Sequence, residues 1–382
     1  MKLVINLLRT RWMRLLVQPG DGITPLVTKI NEAKTSVDIL VFRFDRIEIE
    51  KALVSAVNRG VAVRALIAYT NRGGEKSLRA LEMRLLGAGV TVARTAGDLV
   101  RYHAKMIIID GRELFLLAFN FTGLDIERSR SFGLLVDDPE IVQEAANLFD
   151  ADSKRLPYTP GLDSFVVSPA NARKQLSNFI AGATKELLIY DPDLSDPAMI
   201  RLLQDRSKAG VEIKILGRVS RRGAAFESHK LFMRLHTRAI VRDRAEAFLG
   251  SQSLRTTELD ARREVGLIFS EPKIVAKLAS IFESDWEESL KAKDKEENDA
   301  EPETEDKIRS LEKVAKKVAK AVVEELPPVT PVLEVVVQEV AGPKTEVALN
   351  PAELEATVKD AVKHAIKETV ADAVEQAIPE PK

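Results

Sequence analysis

The feature that most constrains the fold of this 382-residue chain is an internal duplication. Segments of the first half align with segments of the second at a constant offset of 150 residues, and later segments align at an offset of 133. The aligned pairs are 15–42 with 165–191, 59–67 with 209–217, and "HAKMIIIDG" (103–111) with "HTRAIVRDR" (236–244). Because offset and residue pattern agree over several elements, we predict two homologous halves, the second 17 residues shorter before its histidine.

Each half alternates strand-like with helix-like segments, which is typical of α/β domains. "SVDILVF" (36–42) reads as a buried strand, and "EIEKALVSAVNRG" (48–60) reads as a helix ended by glycine. The sequence therefore predicts two α/β lobes related by a pseudo-two-fold axis. The first lobe is predicted to span 1–152 and the second 162–289, joined by the turn-rich "SKRLPYTPG".

The C-terminal segment 290–382 differs from the rest, since it has no aromatic residue and holds 8 of the 17 prolines. Such a composition is poor for building a core. Within it, 307–326 and 351–378 each place valine and isoleucine along one helical stripe. We therefore expect a partly helical or disordered tail, and the amphipathic stripes suggest docking of a protein partner or self-association.

Composition excludes several kinds of site. The chain has no cysteine, which excludes disulfides, thiolate metal sites and cysteine nucleophiles. Residues 1–290 carry a formal charge of +6 and 291–382 one of −7, so the body suits an anionic ligand. The N-terminal stretch lacks the features of a signal peptide, and no apolar run is long enough to span a bilayer. We predict a cytoplasmic protein, with contact at the inner face of the membrane as the alternative use of the basic N-terminal stretch.

The repeated histidine segment carries the chemistry. Strand alternation puts His103 and Lys105 on one face, about 7 Å apart, and His236 and Arg238 keep this relation in the second copy. Asp110 and Asp243 each follow their histidine by seven residues. One such motif would be ordinary surface decoration, but its recurrence at equivalent points of two repeats predicts a shared cleft. Two imidazoles and two cations suit attack on a phosphodiester, without a metal or other cofactor.

The duplicated His-x-Lys-x4-Asp pattern resembles that of the phospholipase D superfamily, whose fuller pattern continues with Gly-Ser-x-Asn and an acidic residue. The resemblance covers about 1–289 and implies one active site between two lobes and a phosphohistidine intermediate. It implies a matching set in each copy: His103, Lys105, Asp110 and Asn120 in the first, and His236, Arg238, Asp243, Ser251, Ser253 and Glu264 in the second.

Each copy departs from the pattern in a different place. The first has Leu117-Ala118 instead of Gly-Ser and Ser131 at the acidic position, whereas the second has arginine for lysine and serine for asparagine. We expect Glu264 to orient His236, and Asp125 or Glu127 to substitute as the partner of His103. The nucleophile stays unassigned between the two histidines.

The resemblance implies a phosphodiesterase or phosphatidyltransferase acting on a phospholipid, similar to cardiolipin synthases. One alternative is a nuclease of the same superfamily, although the sequence has no dense basic stripe with interleaved aromatics. Another is a catalytically weakened scaffold that holds a phosphate or lipid.

Overall fold

The structure is a computed structural model that describes residues 12–69, 75–223 and 225–299, with side chains up to 291. The strands of the first half are β1 (Met13–Gln18), β2 (Ser36–Val41), β3 (Ala62–Ile67), β4 (Thr91–Arg94), β5 (Arg101–Tyr102), β6 (Met106–Ile109), β7 (Glu113–Leu117) and β8 (Ser129–Val136). Those of the second half are β9 (Phe165–Val167), β10 (Glu186–Leu194), β11 (Glu212–Val219), β12 (Glu227–His229), β13 (Arg234–Leu235), β14 (Arg238–Arg242), β15 (Glu246–Gly250), β16 (Arg262–Arg263) and β17 (Val265–Phe269).

The helices of the first half are α1 (Thr24–Glu32), α2 (Ile47–Asn58), α3 (Glu75–Gly87), α4 (Gly123–Glu127) and α5 (Pro139–Lys154). The second half has α6 (Ala172–Ala181), α7 (Pro197–Lys208), α8 (Thr256–Asp260) and α9 (Pro272–Asp299). Both α5 and α7 begin with an Asp-Pro pair, in which the aspartate side chain accepts hydrogen bonds from N–H groups of the first turn. This is the expected N-terminal signal of a helix.

The two sheets have the same strand order, which confirms the predicted duplicated α/β fold. The first runs β1-β8-β7-β6-β2-β3-β4, and the second, read from its far edge, runs β9-β17-β15-β14-β10-β11-β12. Corresponding pairs also share their direction: β2 and β3 are parallel, as are β10 and β11, whereas β6 and β14 are antiparallel to those central strands.

Alternate residues of β6 belong to two different cores, as the predicted strand periodicity requires. Met106 and Ile108 lie in a core shared by both sheets and helices α5 and α9, whereas Ile107 and Ile109 pack under helices α1 to α3. A third core lies under α6 and α7. The shared core makes the two halves one compact unit.

Three of the sequence predictions concern segments that the structure does not describe. The N-terminal stretch 1–11 and the amphipathic segments 307–326 and 351–378 lie outside the described residues. Among the helices that are described, none has the length and apolarity to cross a bilayer.

Candidate active site

Short strands that cross between the halves bring the two histidines into one site. β5 pairs with β16, and the backbone N–H of His103 donates to the carbonyl of Arg263 at 2.7 Å. In the same way β13 pairs with β8, and the N–H of His236 donates to the carbonyl of Arg130 at 3.0 Å. Each histidine is therefore held by a strand of the opposite half. This crossing also ends the long strand predicted around each histidine, so β6 begins only at Met106 and β14 at Arg238.

His103 pairs with Glu264 inside the protein. Nδ1 of His103 lies 2.8 Å from Oε2 of Glu264, and both side chains are buried. Since a carboxylate only accepts hydrogen bonds, this contact places the ring proton on Nδ1 and the lone pair on Nε2. Burial lowers the pKa of His103 well below its usual value, and the charge of Lys105 lowers it further. His103 is therefore a neutral imidazole with its lone pair on Nε2 at physiological pH.

Lys105 lies against this imidazole. Its Nζ is 2.9 Å from Nε2 and 3.0 Å from Nδ1 of His103, so it is within hydrogen-bonding distance of both ring nitrogens. Its side chain is 1% exposed, and burial lowers its pKa to about 7, although the charge of Glu264 acts in the opposite direction. A cation that loses its proton near neutral pH makes the site sensitive to pH in that range.

His236 faces a different carboxylate, that of Asp125. Its Nδ1 lies 3.4 Å from Oδ2 of Asp125, which also accepts hydrogen bonds from the backbone N–H and side-chain amide of Asn120 at 2.8 and 2.7 Å. Arg234 donates to the other oxygen, Oδ1, at 2.6 Å. Burial by itself would raise the pKa of Asp125, but the charges of His236 and Arg234 lower it overall. Asp125 is thus an anion beside the second imidazole.

Arg238 occupies the position that corresponds to Lys105. Its Nε donates to Oγ of Ser253 at 3.0 Å, and its Nη1 donates to the carbonyl of His236 at 2.8 Å. Its Nη2 lies 3.7 Å from Glu258, which also accepts a hydrogen bond from the backbone N–H of Ser253. The guanidinium is therefore fixed in place beside the histidine, as a charge that binds phosphate requires.

The predicted partners of the two histidines were wrong. Glu264 pairs with His103 and not with His236, and Asp125 pairs with His236 and not with His103. Glu127, the other suggested partner, instead forms an ion pair with Arg46. The reason is the strand crossing, which carries the acidic residue of each half to the histidine of the other.

The structure brings most of the predicted residues together but separates the two motif aspartates from them. Asp110 accepts hydrogen bonds from the backbone of Lys34, Thr35 and Ser36 at 2.7–3.0 Å, at the end of β6 opposite the histidine. Asp243 does the same for 184–186. Both contacts fix the loop before a central strand. Ser251 is buried near the pair at His103: its hydroxyl accepts the N–H of Val265, the residue after Glu264, at 3.1 Å.

Two residues at the site were missed from the sequence. Glu258 follows Asp125 at the same offset of 133 that relates the two histidines, so the duplication itself could have identified it. Phe42 packs edge-on against the ring of His103, with ring centroids 4.6 Å apart. Nothing in its strand-like surroundings distinguishes Phe42 from a core residue.

Comparison with known proteins identifies the family of the chain. A profile of the family described as "Cardiolipin synthase, PLD-like domain" matches residues 26–153 and 176–286, more than half of the chain. A polyphosphate kinase of Pseudomonas syringae is 26% identical over 304 residues, which is 71% of this chain and 41% of that protein. A mitochondrial cardiolipin hydrolase of Danio rerio is 27% identical over 130 residues, 33% of this chain and 56% of that protein.

Solved structures show the same fold. Polyphosphate kinase from Porphyromonas gingivalis superposes with a TM-score of 0.61 at 20% identity, covering 71% of this chain and 46% of that one. The chain spans less than half the length of the polyphosphate kinases that it matches. Given the two matched segments, the chain belongs to the phospholipase D superfamily and contains two copies of its domain.

Proposed function

We propose that the protein is a phosphodiesterase or phosphatidyltransferase that works through a phosphohistidine. The observation that supports this proposal is the presence of two imidazoles in one site, each beside a carboxylate from the opposite half. His103 is the better nucleophile because its Nδ1 has the shorter contact with a carboxylate, which leaves the lone pair on Nε2. Lys105, which contacts Nε2 at 2.9 Å, must move from that nitrogen to the phosphoryl oxygens when the substrate binds.

The proposed reaction has two steps. Nε2 of His103 attacks phosphorus, an N–P bond forms, and the P–O bond to the leaving group breaks while His236 gives a proton to the departing oxygen. Burial lowers the pKa of His236 well below its usual value, and the charge of Asp125 opposes this, so the negative charge of the bound phosphodiester has to stabilise the protonated form. Neutral His236 then takes a proton from water or an alcohol, whose oxygen attacks phosphorus and releases His103. Lys105 and Arg238 stabilise the negative charge on the phosphoryl oxygens in both steps.

A phospholipid is the substrate class that the surface near the site favours. Strands β10 and β11 end, and β14 begins, at the same edge of the second sheet, because β10 is parallel to β11 and antiparallel to β14. The segments that follow β11 and β12 therefore leave the sheet at the edge where His236 lies. They expose Phe232, which is 91% exposed, and the cations Arg221, Arg222 and Lys230, and Arg218 is exposed near the end of β11. An exposed aromatic among cations suits the interface of an anionic bilayer.

The test uses the full chain in EDTA with vesicles of phosphatidylglycerol. We expect turnover, an acid-labile phosphohistidine on the wild type, and no turnover by His103→Ala or His236→Ala. His229→Ala is the matched control, because His229 packs against Trp286 and takes no part in the site. Activity that requires a divalent metal, or that survives in both active-site variants, would contradict the mechanism. Binding of vesicles without turnover of any diester would indicate the scaffold alternative.

Phosphoryl transfer to or from polyphosphate is a second candidate, favoured by the polyphosphate kinase that matches 71% of this chain. The same neutral histidine could attack a phosphoanhydride. Incubation of the full chain with polyphosphate and a nucleoside diphosphate, and with single-stranded DNA in parallel, separates the classes. Formation of nucleoside triphosphate without cleavage of lipid would establish this candidate in place of the first, and cleavage of DNA alone would establish a nuclease.

A further inference from the structure

Arg130 connects the backbone of His236 to the last described helix. Its carbonyl accepts the N–H groups of His236 and Thr237 at 3.0 and 3.2 Å. Its side chain binds Asp285 of α9 in a two-point contact, with Nε to Oδ2 at 2.8 Å and Nη2 to Oδ1 at 2.7 Å. Asp285 is 2% exposed and also accepts the hydroxyl of Tyr190 at 2.6 Å.

Arg263 makes the equivalent connection for His103. Its carbonyl accepts the N–H of His103 at 2.7 Å, and its Nη2 donates to Oδ1 of Asp152 on α5 at 3.0 Å. Nη1 donates to the carbonyl of Ser168 at 3.1 Å. Both Arg263 and Asp152 are buried.

The two connections are related by the duplication, because Arg263 follows Arg130, and Asp285 follows Asp152, at the offset of 133. In each one, an arginine of one half binds the histidine backbone and the helix aspartate of the other half. We infer that Arg130 and Arg263 are positioning residues, Arg130 for His236 and Arg263 for His103. Each joins its histidine to a buried aspartate of a helix, across the interface between the halves.

The physical consequence follows from burial. A buried carboxylate that loses its guanidinium partner must move or recruit water, and the backbone carbonyl of the substituted residue moves as its side chain rearranges. Because that carbonyl fixes the histidine N–H, the imidazole shifts against its own carboxylate. A shift of about 1 Å in a catalytic group can slow a reaction about 100-fold. The loss of rate should be confined to the reaction step in which the displaced histidine takes part.

The kinetic test rests on the proposed function and compares Arg130→Lys with Arg263→Lys. Lysine keeps the charge but cannot make the two-point contact. With an alkyl diester, both variants should lose about 10- to 100-fold in the first turnover. With a p-nitrophenyl diester, whose leaving group departs without a proton, Arg130→Lys should regain the first turnover and Arg263→Lys should not.

The matched control is Arg84→Lys. Arg84 makes the same two-point contact with Glu50, at 2.7 and 2.9 Å, but lies on α3 and holds no histidine. The inference is overturned if Arg130→Lys slows the p-nitrophenyl diester as much as the alkyl diester. It is also overturned if neither variant slows the alkyl diester more than Arg84→Lys does.

A second measurement needs no substrate and separates this inference from the proposed function. The chain has four histidines, so their imidazole NMR resonances can be assigned by single substitutions. Arg130→Lys should shift the ring signals of His236 and leave those of His103 in place, and Arg263→Lys should do the reverse. Equal shifts of both histidines, or none, would overturn the positioning roles even if the wild type cleaves a phosphodiester.

Discussion

The carboxylate of Glu264 lies 2.8 Å from Nδ1 of His103, although the two residues are 161 positions apart and belong to different halves of the chain. Asp125 of the first half lies correspondingly beside His236 of the second. Neither half therefore contains a complete histidine–carboxylate pair, and the duplication is necessary for the site.

Glu264→Gln should remove the anion that fixes the tautomer of His103. We expect kcat to fall about 100- to 10,000-fold with little change in KM, since the loss concerns orientation and not substrate binding. Steady-state kinetics on phosphatidylglycerol vesicles measure both. Ser131→Ala, at the aligned position of the first half, is the control and should have a much smaller effect. If Glu264→Gln keeps wild-type turnover, the pairing has no catalytic role.

Asp125→Asn and Glu127→Gln together test which acidic residue of α4 serves the site. Asp125 is 2% exposed and contacts His236, whereas Glu127 forms its ion pair with Arg46 at the surface. We expect Asp125→Asn to slow cleavage of alkyl diesters about 100-fold, because His236 loses the anion that stabilises its protonated form. Glu127→Gln should stay within about twofold of wild type. Equal losses in the two variants would contradict this assignment.

The sequence predicted the sheets well because their signals are local. The alternation around Ile107 and Ile108 gives two faces, and the offsets of 150 and 133 give two copies of the same strand order. The pairing of Glu264 with His103 was beyond this reasoning. It depends on β5 and β16, which are two residues long each and too short to produce any periodicity.

The role of Asp110 shows a second limit of predicting site residues from a sequence motif. The repeated spacing from the histidine placed Asp110 and Asp243 with the catalytic residues, but seven residues of extended chain cover about 23 Å. The structure puts each aspartate at the far end of that distance, where it accepts backbone N–H groups. The spacing of seven residues therefore reflects the length of the strand, and does not by itself indicate that the aspartate is catalytic.

Lys105 should produce the alkaline limb of the pH profile. Burial lowers its pKa to about 7, so it loses its positive charge as the pH rises through that value. With a p-nitrophenyl diester, whose leaving group needs no proton from His236, we expect kcat/KM to fall above about pH 7. It should also fall on the acid side, below the usual pKa of histidine, where His103 takes up a proton. Lys105→Arg keeps its charge at all these pH values and should lose the alkaline limb, even if its overall activity is lower. If the alkaline limb is unchanged in Lys105→Arg, the loss of activity at high pH is due to the titration of another group.

Asp110→Asn should reduce stability and leave the chemistry intact. Partial burial would raise the pKa of Asp110, but the N–H donors of Lys34, Thr35 and Ser36 lower it overall. Because the folded pKa lies below the unfolded value, the charge stabilises the fold above the unfolded pKa, and this contribution is lost as the pH falls through the folded pKa. Asparagine tolerates the φ of 54° at this position as aspartate does, so the substitution isolates the charge.

We expect Asp110→Asn to cost about 1.5–3 kcal/mol of unfolding free energy at pH 7, measured by urea denaturation, and less at pH 3. Asp243→Asn should behave in the same way, since its contacts are equivalent. The kcat of the folded variants should stay near that of wild type. A loss of kcat without a loss of stability would return these aspartates to the catalytic set.

Gly217→Ala tests the junction between the second sheet and the site. Gly217 has a φ of +144°, and a Cβ there would lie 1.7 Å from the carbonyl oxygen of Asp191. The carboxylate of Asp191 in turn accepts the N–H of Leu254 at 2.7 Å, next to Ser253, which holds Arg238. We expect a loss of more than about 3 kcal/mol in unfolding free energy, because both the φ angle and the contact forbid a side chain.

Gly210→Ala provides the control for this last prediction. Gly210 has a φ of +90°, but a Cβ at this position would meet nothing within 4 Å. Strain of the backbone alone should cost about 1–2 kcal/mol, with no effect on kcat. Gly217→Ala should instead lower kcat as well as stability, since moving Asp191 displaces the backbone that carries Ser253. If the two variants lose the same stability and keep the same kcat, the close approach of Gly217 to Asp191 does not control the site.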